Sequence, residues 1–121
     1  MTAQKNSNHK ITSLLQSMFR LQQQVDSLLI GQVGIGLSAF RILSVTDDKK
    51  TYSQRHIAGL LSQTEANVSR QIRHMAEQGL VKIAPDKKDK RQRNISRTAK
   101  GQRLFVAAEK LLSQHEKDLK L

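Results

Sequence analysis

From Lys10 to Leu29 the apolar residues Ile11, Leu14, Leu15, Met18, Leu21, Val25, Leu28 and Leu29 recur at three- and four-residue spacing. That period predicts an amphipathic helix of about five turns, with Gly31 as its C-cap. The polar residues 1–9 before it are expected to fray. Such a stripe belongs to a core, and a helix this long in so small a protein is expected to bury part of it against another chain. The segment Gly31–Gly36, Gly-Gln-Val-Gly-Ile-Gly, lacks the spacing of a glycine-rich nucleotide fingerprint and reads as a helix stop and loop. Ser38 is placed to cap a short helix from Ala39 to about Val45, with Phe40, Ile42 and Leu43 facing the core. Asp47 to Lys50 reads as a turn.

Ser53 precedes a helix from Gln54 to Leu61, whose Ile57, Ala58 and Leu61 fall on one face. After a short break Thr64 caps a second helix, Glu65 to about Gln78, stopped by Gly79. Two short helices joined by a tight turn make a helix-turn-helix. The period then changes from that of a helix to that of a strand. Leu80 to Asp86 reads as a strand with Val81 and Ile83 on one face, broken at Pro85-Asp86, and Arg91–Thr98 as its return with Ile95 as anchor. Thr98 caps a last helix from Ala99 to about Leu119, striped by Leu104, Phe105, Ala108, Leu111, Leu112, His115 and Leu119. The order predicts a single domain, residues 1–121, of a mainly α fold with a small β-hairpin: a winged helix-turn-helix at 38–98 between N- and C-terminal helices at 10–30 and 99–120.

Composition sharpens this picture. Aromatics are limited to Phe19, Phe40, Tyr52 and Phe105, so the core rests on aliphatic side chains. Without cysteine the chain has no disulfide, thiolate metal site or cysteine-based redox sensor. His9, His56, His74 and His115 are not spaced as metal ligands, and no metal or other cofactor is expected. No apolar run reaches the length of a membrane span and the N-terminus is not a secretory signal, which predicts a cytoplasmic protein without a membrane partner. Nor is there a nucleophile–base constellation, phosphate loop or carboxylate pair of the kind an enzyme needs.

The net charge of +11 makes polyanions the expected partners. Residues 51–103 carry +8 of it. On the helix beginning at Glu65, Val68, Ile72 and Met75 fall on one side, and Ala66, Arg70, Arg73, His74 and Glu77 on the other, with Asn67 at the edge. A small residue, an amide and arginines on one exposed face suit a major groove. Ala66 admits close approach, Asn67 can pair with adenine, and Arg70 can fork to guanine or grip phosphate. The helix-turn-helix puts Ser62, Gln63 and Thr64 at the entry of that helix. The same pattern also fits a solvated helix face, with Arg73 and Glu77 as an i,i+4 pair. Asp86–Thr98 then adds six Lys or Arg in thirteen residues. Folded as a hairpin, it projects Lys87, Lys88, Lys90, Arg91 and Arg93 toward phosphates and a narrow minor groove. Asp89, repelled by phosphate, is expected to pair with an arginine and hold the hairpin's shape. A sequence-specific regulator, a sequence-neutral architectural binder and a protein-binding adaptor all remain open. Scarce aromatics weigh against stacking on single strands or RNA.

From about Ser38 to Gly101 the chain resembles the winged helix-turn-helix core of MarR-type transcriptional regulators. The resemblance is carried by Glu77-Gln-Gly-Leu-Val81 and by Asp89, Arg91, Thr98 and Gly101 at fixed spacing. It implies a homodimeric transcriptional regulator on double-stranded DNA, expected to be a repressor, with recognition helices in successive major grooves and wings in adjacent minor grooves. By position, Thr64, Ala66, Asn67 and Arg70 fall where the family meets DNA, Arg91 on its wing arginine and Asp89 on the acid that braces the wing. Dimerisation would use the terminal helices, Lys10–Leu29 and Ala99–Leu119. Many relatives bind small phenolic effectors, of which no residue here gives a sign. Two departures stand out: Arg97 occupies a position that is usually leucine, and only twenty residues follow Gly101.

Overall fold

The computed structural model describes residues 2–118, with side chains from His9 onward. Five helices and three strands follow in the order α1 (Thr2–Gln32), α2 (Leu37–Ser44), β1 (Tyr52–Ser53), α3 (Gln54–Leu61), α4 (Glu65–Glu77), β2 (Val81–Pro85), β3 (Arg93–Arg97) and α5 (Ala99–Gln114). The strands form one antiparallel sheet in the order β1-β3-β2. This is a winged helix, as the change of period after Gly79 predicts. Ile95 is fully buried in the central strand, opposite Ile83 on one side and Tyr52 on the other. The core gathers Leu29 from α1, Ile42 and Leu43 from α2, Ile57 from α3, Val68, Ile72 and Met75 from α4, and Ala108 from α5 around Leu80 and Ile95.

Three N-caps read from the sequence are present as hydrogen bonds. Ser53 Oγ accepts the His56 N–H at 3.0 Å, Thr64 Oγ1 the Asn67 N–H at 3.1 Å and Thr98 Oγ1 the Gly101 N–H at 2.9 Å. Each satisfies one of the free amides of a helix's first turn. Thr98 also ties its neighbours: its hydroxyl donates to the Gly79 carbonyl at 2.6 Å and its N–H to the Leu80 carbonyl at 3.1 Å. Gly101 is buried there so closely that a Cβ would stand 2.1 Å from the Leu80 oxygen. The Thr98–Gly101 spacing is therefore a packing requirement that seats α5 on the α4–β2 corner.

Several boundaries differ from the sequence expectation. Helix α1 begins at Thr2, within the stretch expected to fray, and passes through Gly31. It ends at Gln32, and just beyond it Gly34 takes a positive φ (+88°) and donates its N–H to the Leu29 carbonyl at 3.0 Å. Ser38 does not cap α2, because the helix already starts at Leu37. The Leu37 N–H donates instead to Asp26 Oδ1 of α1 at 2.8 Å, a cap from a different helix. Strand β3 starts at Arg93 rather than Arg91, since Arg91 and Gln92 are used to close the hairpin tip. Pro85 ends β2 rather than breaking before it. The two-residue strand β1 was not expected at all. Helix α5 ends at Gln114, where the His115 N–H turns back to the Leu112 carbonyl at 3.1 Å. Leu119, expected on its stripe, lies outside the described residues.

Arg97 is the other surprise. Its guanidinium donates to the carbonyls of Leu43 and Thr46 at the C-terminal end of α2 and to Gln102 Oε1 of α5. It lies 4.3 Å from the centre of the Phe105 ring, which itself stacks on Phe40.

Candidate nucleic-acid interface

The helix-turn-helix is held by its own turn. Helix α3 closes on Ser62, a non-glycine residue in the left-handed region (φ 54°), and the Gln63 N–H returns to the Ala58 carbonyl at 3.0 Å. Val68, Ile72 and Met75 are buried, which fixes the rotation of α4 and turns Ala66, Arg70, Arg73 and His74 to the surface. Asn67 at the edge is half-buried. Its Nδ2 donates to Gln63 Oε1 at 2.9 Å, and the same oxygen accepts from Gln71 Nε2 at 2.9 Å. Arg70 Nη2 reaches Asn67 Oδ1 at 3.4 Å. Gln63 and Asn67 thus form a polar brace along the buried-to-exposed boundary of α4.

The hairpin connecting β2 and β3 is a folded wing. Across its tip the Asp86 N–H donates to the Gln92 carbonyl and the Gln92 N–H to the Asp89 carbonyl, both at 3.0 Å. Carboxylates complete the turn. Asp86 accepts the Asp89 N–H at 3.2 Å and the Asn94 amide at 3.2 Å, while Asp89 Oδ1 accepts the Arg91 N–H at 3.0 Å. Arg91 Nε lies 3.8 Å from the same Asp89 oxygen, and the Arg91 side chain is 96% exposed. The shape-holding work falls on two acids, of which the sequence pointed to Asp89 and missed Asp86. Lys87, Lys88, Lys90 and Arg93 are exposed around this frame.

An open groove of about 600 Å³ runs between α3, the first turns of α4 and the wing. Ala66, Asp89, Arg91 and Arg93 line it together. So do Gln54, Arg55, Ser69 and Gln92, which sequence reasoning did not single out, and Ser53, which it marks only as the cap of α3. Ser69 was within reach of that reasoning, since it follows Ala66 by three positions and shares its face. Arg55 and Gln54 were not, because only the docking of α3 against α4 brings them there. Glu65, also in the groove, has Oε1 3.8 Å from Arg55 Nε. Both acids of the groove therefore stand beside an arginine. His74 lies elsewhere, in a cavity of about 200 Å³ with Ile35, Ala39 and Gln71 on the other side of α4. Gln71 Oε1 is buried there without a hydrogen-bond partner among the described residues.

Among the described residues no group of three His, Cys, Asp or Glu could hold a metal ion, and no single helix is long and apolar enough to cross a membrane. No curated protein sequence matches the chain. Solved structures do. BldR from Sulfolobus solfataricus superposes with a TM-score of 0.82 at 18% identity, covering 99% of this chain and 86% of BldR. The repressor CouR, solved on a 23-mer DNA duplex, gives a TM-score of 0.82 at 20% identity over 94% of this chain and 80% of its own. A mutant of MepR from S. aureus is 26% identical, with a TM-score of 0.69 over 88% of this chain and 80% of that one. Residues 33–92, from the loop after α1 through the helix-turn-helix to the wing tip, match the MarR family model. Through this winged helix-turn-helix the chain belongs to the MarR family of transcriptional regulators.

Proposed function

We propose that two copies of the chain bind a pseudo-palindromic operator in double-stranded DNA and repress transcription from it. In this reading α4 enters the major groove and the wing follows the adjacent minor groove. The observation that carries it is the groove in which Ala66 and Ser69 of α4 meet Arg91 and Arg93 of the wing. Asp86 and Asp89 spend their carboxylates on the hairpin itself, which leaves Arg91 and the three wing lysines facing outward. Ser62, Gln63 and Thr64 bring the start of α4 to the DNA. Ala66, Asn67 and Arg70 read bases, and Arg73 grips a phosphate. His74, on the far side of α4, is the weakest member of the set. The solution of CouR on a DNA duplex and its description as a repressor support the assignment by likeness.

The second copy is argued from α1. Ile11, Leu14, Leu15, Met18 and Phe19 are each about half or more exposed, on one face. A stripe of that kind is covered in a stable protein, and a second α1 with the same stripe is a self-complementary cover.

A sequence-neutral architectural binder is the second reading, and the braced Asn67 favours it, since an amide already bonded to Gln63 must be released before it can pair with adenine. Two substitutions separate the readings. Arg91→Ala should weaken every duplex alike, whereas Asn67→Ala should relax choice at one or two base pairs, about 1–3 kcal/mol each. Binding isotherms on an operator and its single-base variants measure both. Equal losses from both substitutions on every duplex would leave the sequence-neutral reading standing.

A further inference from the structure

We propose that Arg97 is a positioning residue for the wing, bolting the base of the hairpin to α2 and α5 without touching DNA itself. The inference rests on the wing reading above and adds to it a residue that the groove does not contain. Arg97 is the last residue of β3 and stands opposite Val81, at the base of the hairpin, while Arg93 opposite Pro85 stands toward its tip. Its main-chain N–H donates to the Asp47 carbonyl at 3.0 Å. The guanidinium takes the Leu43 and Thr46 carbonyls, approaches Thr46 Oγ1 at 3.5 Å and donates to Gln102. Leu43 lies in the last turn of α2 and Thr46 two residues beyond its end, where the negative end of the helix favours a cation. Phe105 closes over the guanidinium plane.

A surface arginine meant for phosphate would keep its donors free. Those of Arg97 are taken up by α2, the loop after it and α5, and its side chain is half-buried. The opposite end of α2 is held by Asp26 of α1 through the Leu37 N–H. Helix α2 is therefore a strut with an acid at its positive end and a cation at its negative end, joining the long α1 to the base of the wing. Only a planar fork can serve two carbonyls, an amide oxygen and a ring face together, and a lysine keeps the charge without that geometry.

The test uses the full chain with Arg97→Lys and Arg97→Leu, read by amide exchange and by duplex binding. In both variants the wing amides of Asp86, Arg91 and Gln92 should exchange at least ~5-fold faster, while those of Ile72 and Met75 keep their wild-type protection, since loss of a bolt opens one local unit. Arg91→Ala should cost ~10-fold in affinity in the wild-type background and less than ~3-fold in the Arg97→Leu background, because coupled residues are not additive. Wild-type behaviour of Arg97→Lys in both readouts would reduce Arg97 to a charge and overturn the proposal, as would unchanged wing exchange. Equal Arg91→Ala losses in both backgrounds overturn it too. If the wild-type chain binds no duplex, the DNA reading falls by itself, and wing exchange alone then decides whether Arg97 positions the hairpin.

Discussion

Asp47 illustrates how much of this structure is fixed by single side chains that the pattern of the sequence does not distinguish. Its carboxylate accepts the Lys49 N–H at 2.8 Å, and this bond, with the nearby Arg97 charge, holds its pKa below the ordinary carboxylate range. A depressed folded-state pKa stabilises the fold above the unfolded value, about 3.9, and that contribution is lost as pH falls through the folded value. Asp47→Asn should therefore lower the urea midpoint at neutral pH, with the difference from wild type shrinking below about pH 4. A difference independent of pH would remove the charge from the explanation. The sequence marks Asp47 only as a turn residue. Arg97 was legible only as a departure from leucine, because its partners lie 5 to 54 residues away. Thr98 was legible as a cap, but its second bond, to Gly79, required the fold.

At the scale of elements, legibility followed the range of the forces that end each one. Helices α3, α4 and α5 begin where the sequence places them because Ser53, Thr64 and Thr98 cap locally, three residues before the amide they hold. Helix α2 did not, because its cap comes from Asp26, eleven residues away on another helix. Strand β1 exists only through its pairing with β3, so two residues with no alternation of their own carried no signal. Glycines separate the same two cases. At Gly101 a methyl group meets the Leu80 backbone from 2.1 Å, whereas at Gly59 within α3 nothing lies within 4 Å. Gly101→Ala should cost about 3 kcal/mol by forcing α5 off its corner, and Gly59→Ala should gain about 0.5–1 kcal/mol. Urea titration of the two variants measures both, and similar effects at the two sites would refute the close packing of α5. The candidate site divides likewise. The wing charges and the α4 face were readable from local pattern, whereas Arg55 and Gln54 enter it through tertiary contact and Asp86 through bonds that form only once the hairpin closes.

Over the whole molecule, a basic groove sits beyond the core from a long helix whose apolar stripe is open. Leu15→Lys should turn a dimer into a monomer in sedimentation velocity while leaving the helix signal in circular dichroism largely intact, and an unchanged sedimentation coefficient would move the interface elsewhere. Loss of pairing should weaken operator binding far more than binding to a single half-site, since linked half-sites gain by effective concentration. Salt should act strongly as well, with affinity falling about a hundredfold or more between 50 and 200 mM as phosphate contacts of two copies are screened. Selection of bound duplexes from a random pool tests the central claim most directly. A sequence-reading dimer predicts a recovered pseudo-palindrome with half-sites about one helical turn apart, bound on the order of a thousandfold or more tighter than random duplex at physiological salt. Recovery of no common sequence, with an affinity ratio near one, would contradict it.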